Sequence, residues 1–163
     1  MARMRLAALW WLPLICLASA CSSTDATFVV QVVNNTSQPL SAGLIKSGGQ
    51  VGQGWASPEQ IAINAPQLMP RRWGTLVPPK GKVIIGPQTG PFEAGSHAVL
   101  RVYMGDVPIS GLVAYGRSDP GRVDLALWPG KSGFIIETVD GRLEAKAIEE
   151  PRVGEPAAPQ NPK

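Results

Sequence analysis

Hydrophobic and polar positions alternate along much of this chain. In Thr27–Val33 (TFVVQVV), Phe28, Val30 and Val32 fall on one side of an extended backbone, and β-branched residues dominate. The segment Ala98–Met104 (AVLRVYM) alternates in the same way. Such alternation is typical of a strand with one buried face, and β-branched residues favour the pleated conformation. The pattern therefore predicts a strand in each segment.

Shorter runs of the same kind lie between turn residues. The run at Leu40–Lys46 is expected to pair with Thr27–Val33 as a hairpin across an Asn-rich turn. Asp140-Gly141 separates the last two runs and is the dipeptide best suited to a type I′ hairpin turn. The segment Gly86–Gly95 is expected to be a loop. The remaining runs predict strands at Trp73–Val77, Lys82–Ile85, Ile109–Tyr115, Arg122–Trp128, Phe134–Val139 and Arg142–Ile148.

The segment SPEQIAINAP, residues 57–66, leaves two interpretations open. Its first four residues form the signature of a helix start: a capping serine, a proline at the first helical position and a glutamine that can complete a capping box. Its two isoleucines, however, alternate with small or polar residues, and a proline ends the segment early. A helix of about two turns is marginal in isolation, so a short strand at Gln60–Ala65 is favoured.

Short strands at intervals of roughly ten residues, with turn residues between them, predict an all-β fold. The favoured architecture is a single antiparallel β-sandwich, immunoglobulin-like, and a small β-barrel is the second choice. The sandwich is expected to span residues 27–148. Residues 149–163 (EEPRVGEPAAPQNPK) hold four prolines and Val153 as the one large apolar residue, which predicts a disordered Pro-rich tail.

The first 21 residues have a different pattern. Arg3 and Arg5 precede an apolar run, LAALWWLPLICLASA, whose small final residues are followed at once by Cys21. A basic start, an apolar centre and a small-residue cleavage region are the marks of a secretory signal peptide. A helix of this length rises only about 22 Å, short of a hydrocarbon core of about 30 Å, so a permanent membrane span is not expected.

This N-terminal segment resembles a bacterial lipoprotein signal, in which small residues directly precede the cysteine that receives lipid; Ala18 stands where that family usually has leucine. The resemblance implies a signal peptide at residues 1–20, an acylated Cys21 and a lipidated tether at 21–26. Ser22 replaces the aspartate that tends to retain lipoproteins at the inner membrane, which implies an outer-membrane anchor facing the periplasm. Attachment through more than one acyl chain is stable.

Processing at Cys21 changes what the composition implies. It removes both N-terminal arginines and lowers the formal net charge from +3 to +1. The remaining basic residues form no long stripe, so no nucleic-acid partner is predicted. Cys16 lies in the apolar run and leaves with the signal, so Cys21 is the single cysteine of the processed chain and an internal disulfide is excluded.

Residues that support catalysis or metal binding are few. His97 is the single histidine, and without a cysteine partner it offers no set of metal ligands. The nucleophile pattern Gly-x-Ser-x-Gly is missing. Asp119 and Asp124 flank a turn, and the turn is favoured over a calcium site. No enzyme activity, catalytic residue, metal or cofactor is predicted, and a hydrolase that uses His97 is the least favoured alternative.

Aromatic and basic residues beside loops form the candidate partner or ligand surface. Trp55 and Trp73 adjoin glycine-rich or proline-rich loops, and Arg71 and Arg72 precede the second indole. Exposed indoles stack on sugars or anchor protein partners, but packing of each indole over an end of the sandwich is favoured, and a solvated turn is favoured for the two arginines. One alternative function is therefore a glycan-binding module that uses exposed Trp55 and Trp73.

The favoured function is a membrane-anchored periplasmic lipoprotein that acts as a non-catalytic protein-binding or envelope-assembly accessory module. Its partners would be membrane lipid, held through acylated Cys21, and an envelope protein. Sheet edges provide a mechanism, because an extended segment of a partner can add to a sheet as a strand. In layout the chain is similar to the small β-sandwich lipoproteins of secretion machines, a likeness of architecture without a shared motif.

Overall fold

The computed structural model describes residues 23–48, 52 and 54–148. The predicted signal peptide, Cys21 and the predicted tail at 149–163 lie outside the described residues. The described helices are α1 (Pro58–Asn64) and α2 (Ile109–Leu112), with a 3₁₀ turn at Pro66–Leu68. The described strands are β1 (Thr24–Asn34), β2 (Leu40–Ser47), β3 (Thr75–Val77), β4 (Lys82–Phe92), β5 (His97–Met104), β6 (Arg122–Leu127), β7 (Gly130–Val139) and β8 (Arg142–Ala147).

The described strands form two four-stranded sheets packed face to face, in the orders β4-β1-β7-β8 and β3-β2-β5-β6. The all-β sandwich predicted from the alternation is confirmed, and the described strands do not close into a barrel. The pairs are antiparallel except for β1 and β7, which run parallel. The starts of β1 and β7 therefore lie at the same end of the sandwich, called the lower end below.

The main core fills the space between the sheets. Phe28, Val30 and Val32 of β1 are buried there against Leu100 and Val102 of β5. These are the apolar positions of the alternating pattern, so the period of the sequence is the physical origin of this core.

A second apolar cluster covers the outer face of the β3-β2-β5-β6 sheet. Ile45 and Tyr103 point outward from the sheet and pack beneath Trp73, Ile109 and Leu112. This cover explains why β2 is buried along both faces rather than along one. Neither helix in the described part of the chain has the length and hydropathy to cross a membrane.

The predicted hairpin between the first two strands is wrong, because β1 and β2 belong to different sheets. Asn34 at the end of β1 holds the crossing between the sheets. Its buried side-chain amide donates to the carbonyl groups of Gln38 at 2.8 Å, Val77 at 3.2 Å and Pro78 at 3.0 Å. These bonds tie the crossing to the end of β3, and β1 is left free to pair with β4 and β7.

The favoured strand at Gln60–Ala65 is also wrong, and the helical alternative is correct. The capping box is complete: the Gln60 amide donates to Ser57 Oγ at 3.3 Å, and the Ser57 amide donates to Gln60 Oε1 at 2.8 Å. A helix this short needs tertiary contacts to persist. It has them on the outer face of the sheet, where Ile61 packs against the second apolar cluster.

Two other segments differ from their predictions. The strand expected at Ile109–Tyr115 is instead the helix α2, because apolar residues three apart, Ile109 and Leu112, share one buried helical face. The loop expected at Gly86–Gly95 is mostly strand, since β4 continues to Phe92 beside the first residues of β1. This long pairing begins β1 at Thr24, inside the segment predicted as tether.

The predicted hairpin at Asp140-Gly141 is confirmed. It joins β7 to β8, and its two central residues have φ values of +50° and +78°. A type I′ turn requires positive φ at both central positions. Aspartate tolerates that conformation and glycine adopts it readily.

Candidate functional site

The candidate site begins at an interruption in the edge of the β3-β2-β5-β6 sheet. The short edge strand β3 pairs only with Leu40–Ala42, at the start of β2. Strand β2 continues to Ser47, paired on its other side with β5 throughout. Within the described residues, the lower part of the β2 edge therefore has no strand beside it.

The backbone of Leu44 faces this open edge. On the same edge, the amide of Lys46 donates to the carbonyl of Trp55 at 3.1 Å. The carbonyl oxygen of Ala42 also points to this edge, so close to Gly74 that a Cβ on Gly74 would collide with this oxygen. In antiparallel strands, alternate residues direct both backbone polar groups to one side. Leu44 lies between Ala42 and Lys46, and its donor and acceptor on this edge have no partner among the described residues.

A cleft of about 910 Å³ opens at this edge. Helix α1 supplies one wall through Gln60, Ile61 and Asn64, and β4 supplies another through Ile85 and Gln88. The lining combines apolar side chains with neutral amides, which donate and accept hydrogen bonds but do not serve as general acids, general bases or nucleophiles at neutral pH. Its chemistry suits recognition of an uncharged chain segment.

Trp73 is held in place on one side of the cleft. Its indole Nε1 donates to the carbonyl of Ala56 at 3.0 Å, and its ring meets that of Tyr103 edge to face at 5.7 Å. Its ring also lies against Gly43, where a Cβ would be 2.9 Å from the Trp73 ring. Glycine at position 43 therefore lets the indole lie directly on the backbone of β2, beside Leu44.

Four charged side chains fix α1 above the sheet; they are called the charge cluster below. Arg101 and Arg122 have side chains that are 8% and 4% exposed, and each contacts both Glu59 and Asp124. Glu59 belongs to the first turn of α1, so its contacts with Arg101 at 2.9 Å and Arg122 at 3.3 Å join the helix to β5 and β6. Buried charges are tolerated when they are paired and hydrogen-bonded.

The charge cluster shifts the ionisation of its carboxylates. Burial acts to raise the pKa of Asp124, but hydrogen bonds from Arg122 and Arg101 and their positive charges outweigh it and lower the pKa. Burial likewise opposes ionisation of Glu59, but hydrogen bonding at the start of α1 and the same two arginines lower its pKa overall. Burial is the largest influence on Tyr103 and raises the pKa of its hydroxyl to about 12. At neutral pH the cluster carries two positive and two negative charges, and Tyr103 is neutral.

The glycan-binding alternative requires Trp55 and Trp73 to be exposed, and this exposure is wrong. They are only 3% and 7% exposed. Trp55 packs edge to face against Phe28 at 5.7 Å and Phe92 at 5.2 Å, because it fills the core beside β1 and β4. Neither indole offers the open face that sugar stacking requires. Trp73 nevertheless lines the cleft with part of its ring.

The other candidate residues lie apart from the cleft lining. Arg71 and Arg72 are exposed, and Arg72 pairs with Asp106 at 2.7 Å. His97 is exposed at the first position of β5, opposite Ser47. Asp119 accepts a hydrogen bond from the Gly121 amide at 2.8 Å, which confirms the predicted turn there. The lipidation site, Cys21, is outside the described residues.

Sequence reasoning missed both Leu44 and the charge cluster. The open edge at Leu44 depends on where β3 ends, a long-range pairing that no local pattern shows. The cluster had a weak signal, since Arg101 and Asp124 are polar residues within otherwise apolar strands, and such residues need a partner when they are buried. Their pairing depends on β5 and β6 lying side by side, a long-range contact that the sequence pattern does not show.

Neither a protein-family model nor a curated protein sequence matches this chain. Among solved structures, the chain is similar to the crystal structure of the T6SS lipoprotein TssJ1 from Pseudomonas aeruginosa. The sequence identity is 15% and the TM-score is 0.39, over 78% of this chain and 100% of that one. At this identity and score, the likeness assigns no function to this chain.

Proposed function

We propose that this protein is a lipid-anchored module of the bacterial cell envelope that binds an extended segment of a protein partner in the cleft. The observation that carries the proposal is the open edge of β2, where the backbone of Leu44 faces a cleft of about 910 Å³. A partner segment placed there would extend the sheet past the end of β3. Its backbone would supply the donor and acceptor that Leu44 lacks among the described residues.

The walls of the cleft support a peptide rather than a charged ligand. Side chains of an added strand project alternately to its two faces, so one set would meet the apolar lining near Trp73 and Ile85 while the other faced solvent. The amides of Gln60 and Asn64 stand at the α1 side to hydrogen-bond exposed backbone groups. The role is binding without catalysis.

The N-terminal pattern supports the location. Cys21 directly follows the small-residue end of the apolar run, and β1 begins only three positions later, at Thr24. An acyl anchor at Cys21 would hold the sandwich close to the bilayer. With Ser22 after the cysteine, the outer membrane, on its periplasmic side, is the proposed site.

Site-specific photocrosslinking in cells tests the proposal. A photoreactive residue at Asn64, on the cleft wall, should give one dominant protein adduct, and one at the exposed Thr138 of β7 should not. Filling the cleft through Asn64→Trp should prevent co-purification of that protein, whereas Thr138→Trp should not. Equal adducts from both positions, or no adduct at Asn64, would overturn the cleft as the binding site. Glycan binding without any protein adduct would favour the glycan alternative instead.

A further inference from the structure

Trp128 is the most exposed of the large apolar residues in the described part of the chain. It is 85% exposed, whereas the other two described tryptophans are 3% and 7% exposed. An indole combines a large apolar surface with one polar N–H group. Tryptophan is therefore enriched at interfaces where part of the side chain is in apolar surroundings and part is in contact with water. Single exposed apolar residues are common on protein surfaces, so the position of Trp128 relative to the proposed lipid anchor is what distinguishes it.

The parallel pairing of β1 and β7 places Trp128 at the lower end of the sandwich. Gly130 at the start of β7 is the partner of Phe28 in β1. Trp128 precedes Gly130 by two residues, on the link between β6 and β7. The chain turns within this link, from the end of β6 to the start of β7, so Trp128 lies at the same end of the sandwich as the first residue of β1, Thr24.

The short tether limits the distance between this end and the lipid anchor. Only two residues separate Cys21 from Thr24. Because consecutive Cα atoms are 3.8 Å apart, the tether spans at most about 11 Å. If Cys21 is acylated, Thr24 must stay within that distance of the bilayer surface, which keeps the lower end of the sandwich, where Trp128 lies, on the membrane side.

We propose that Trp128 inserts its indole into the headgroup region of the bilayer that holds Cys21, forming a second membrane contact. The inference rests on the lipidation of Cys21 in the proposed function, but not on the cleft or its partner. The headgroup region is about 5–8 Å deep on each side of the hydrocarbon core. That depth matches one indole, and tryptophan is enriched at this level in membrane proteins.

The surrounding backbone restricts the conformation of Trp128. Trp128 stands on the two-residue link from β6 to β7, and Pro129 restricts it to an extended conformation. Gly130 has a φ of +108°, where the chain turns into the β4-β1-β7-β8 sheet, and no atom lies within 4 Å of the position of its missing Cβ. Because Pro129 limits the backbone conformations of Trp128, less conformational entropy is lost when the indole enters the headgroups.

Charges at the lower end do not explain the contact. The exposed Lys131 and Asp25 have opposite signs, and Lys46 pairs with Glu93 at 3.9 Å. The net attraction to anionic lipid is therefore small. Insertion of Trp128 is expected to depend on the indole itself and to change little with salt or with the fraction of anionic lipid.

Fluorescence of the processed, lipidated protein in phosphatidylcholine–phosphatidylethanolamine vesicles tests the inference. Trp55 and Trp73 are buried, so aqueous acrylamide reports mainly on Trp128. Acrylamide quenching should be several-fold weaker for the vesicle-bound lipidated protein than for a soluble Cys21→Ala variant that lacks residues 1–20, and with them Trp10 and Trp11. Brominated lipids should quench the vesicle-bound protein and should have little effect on Trp128→Phe, which keeps the anchor.

Mass spectrometry of the N-terminal peptide separates the outcomes. If Cys21 carries lipid but Trp128 is as accessible to acrylamide in vesicles as in solution, the membrane contact is overturned and the anchored binding module is unaffected. If Cys21 carries no lipid, both the anchor and the contact are overturned. Loss of the Asn64 photoadduct has no bearing on Trp128, so the two proposals fail separately.

Discussion

Arg101 on β5 and Asp124 on β6 stand directly opposite each other, and the Arg101 guanidinium donates to both carboxylate oxygens of Asp124, from Nε at 2.8 Å and from Nη2 at 2.9 Å. The same arginine donates to Glu59 at 2.9 Å from its third nitrogen. One side chain thus joins two strands and the helix α1. Since α1 forms a wall of the cleft, the charge cluster determines the shape of the candidate site.

Removing one carboxylate should destabilise the sandwich. Asp124→Ala leaves Arg101 and Arg122 buried with Glu59 as their remaining acid, and an uncompensated buried charge is costly. The side chain of Asp124 is 32% exposed, so screening by solvent reduces the loss in unfolding free energy to about 2 kcal/mol. Urea unfolding measures it. Glu144→Ala, at an exposed position of β8, is the matched control and should change the free energy by less than about 0.5 kcal/mol.

The pH dependence of stability should follow the same carboxylates. The pKa values of Glu59 and Asp124 lie below their ordinary values of 4.5 and 3.8 in the folded protein. Within that window the unfolded chain binds more protons than the folded one, so stability rises with pH. Their contribution is complete above the ordinary values and is lost as the pH falls through the lowered ones. Urea unfolding between neutral pH and pH values below 3.8 should show this decline, and Asp124→Asn should flatten part of it.

A glycine beside β2 should tolerate no side chain. Gly74 has a φ of +69°, and a Cβ there would collide with the carbonyl oxygen of Ala42. Gly95 has a similar φ of +84° but no atom within 4 Å of its missing Cβ. Gly95→Ala should therefore lower the unfolding free energy only by the cost of a positive φ, about 1 kcal/mol. Gly74→Ala should lower it by at least about 1 kcal/mol more, because of the added collision. If urea unfolding gave the same loss of unfolding free energy for both variants, the backbone at Ala42 would have to move away from the added methyl group at little cost, contrary to this prediction.

The alternation of apolar residues was sufficient to predict the sandwich and most of its strands. It failed for α1, because a short helix is decided by distant contacts: the bonds of Glu59 to Arg101 and Arg122 come from strands more than 40 residues away. The pattern also predicted the wrong partner for β1, because the same turn residues occur in a hairpin and in a connection that crosses from one sheet to the other. The interrupted edge at Leu44 was missed for both reasons, because predicting it requires the correct partners of β2 and the position of α1.

The contact between Gly43 and Trp73 should control both the stability and the shape of the cleft. Gly43→Ala would place a Cβ 2.9 Å from the Trp73 ring, and the ring is held by its bond to Ala56 at 3.0 Å. The indole must therefore shift, with a loss of about 1–3 kcal/mol in unfolding free energy. Gly111→Ala in α2 makes only ordinary contacts, with its nearest neighbour at 3.4 Å, and should be neutral or slightly stabilising.

A double-mutant cycle identifies the ring as the cause. With Trp73→Leu in place, the clash is removed, so adding Gly43→Ala should cost less than it does in the native background, by about 1 kcal/mol or more. The same Gly43→Ala substitution should weaken the photoadduct at Asn64, because the displaced indole occupies space beside the open edge of β2. Additive effects on the unfolding free energy would mean that movement of the strand accommodates the added methyl group, and the fixed position assigned to Trp73 would then be wrong.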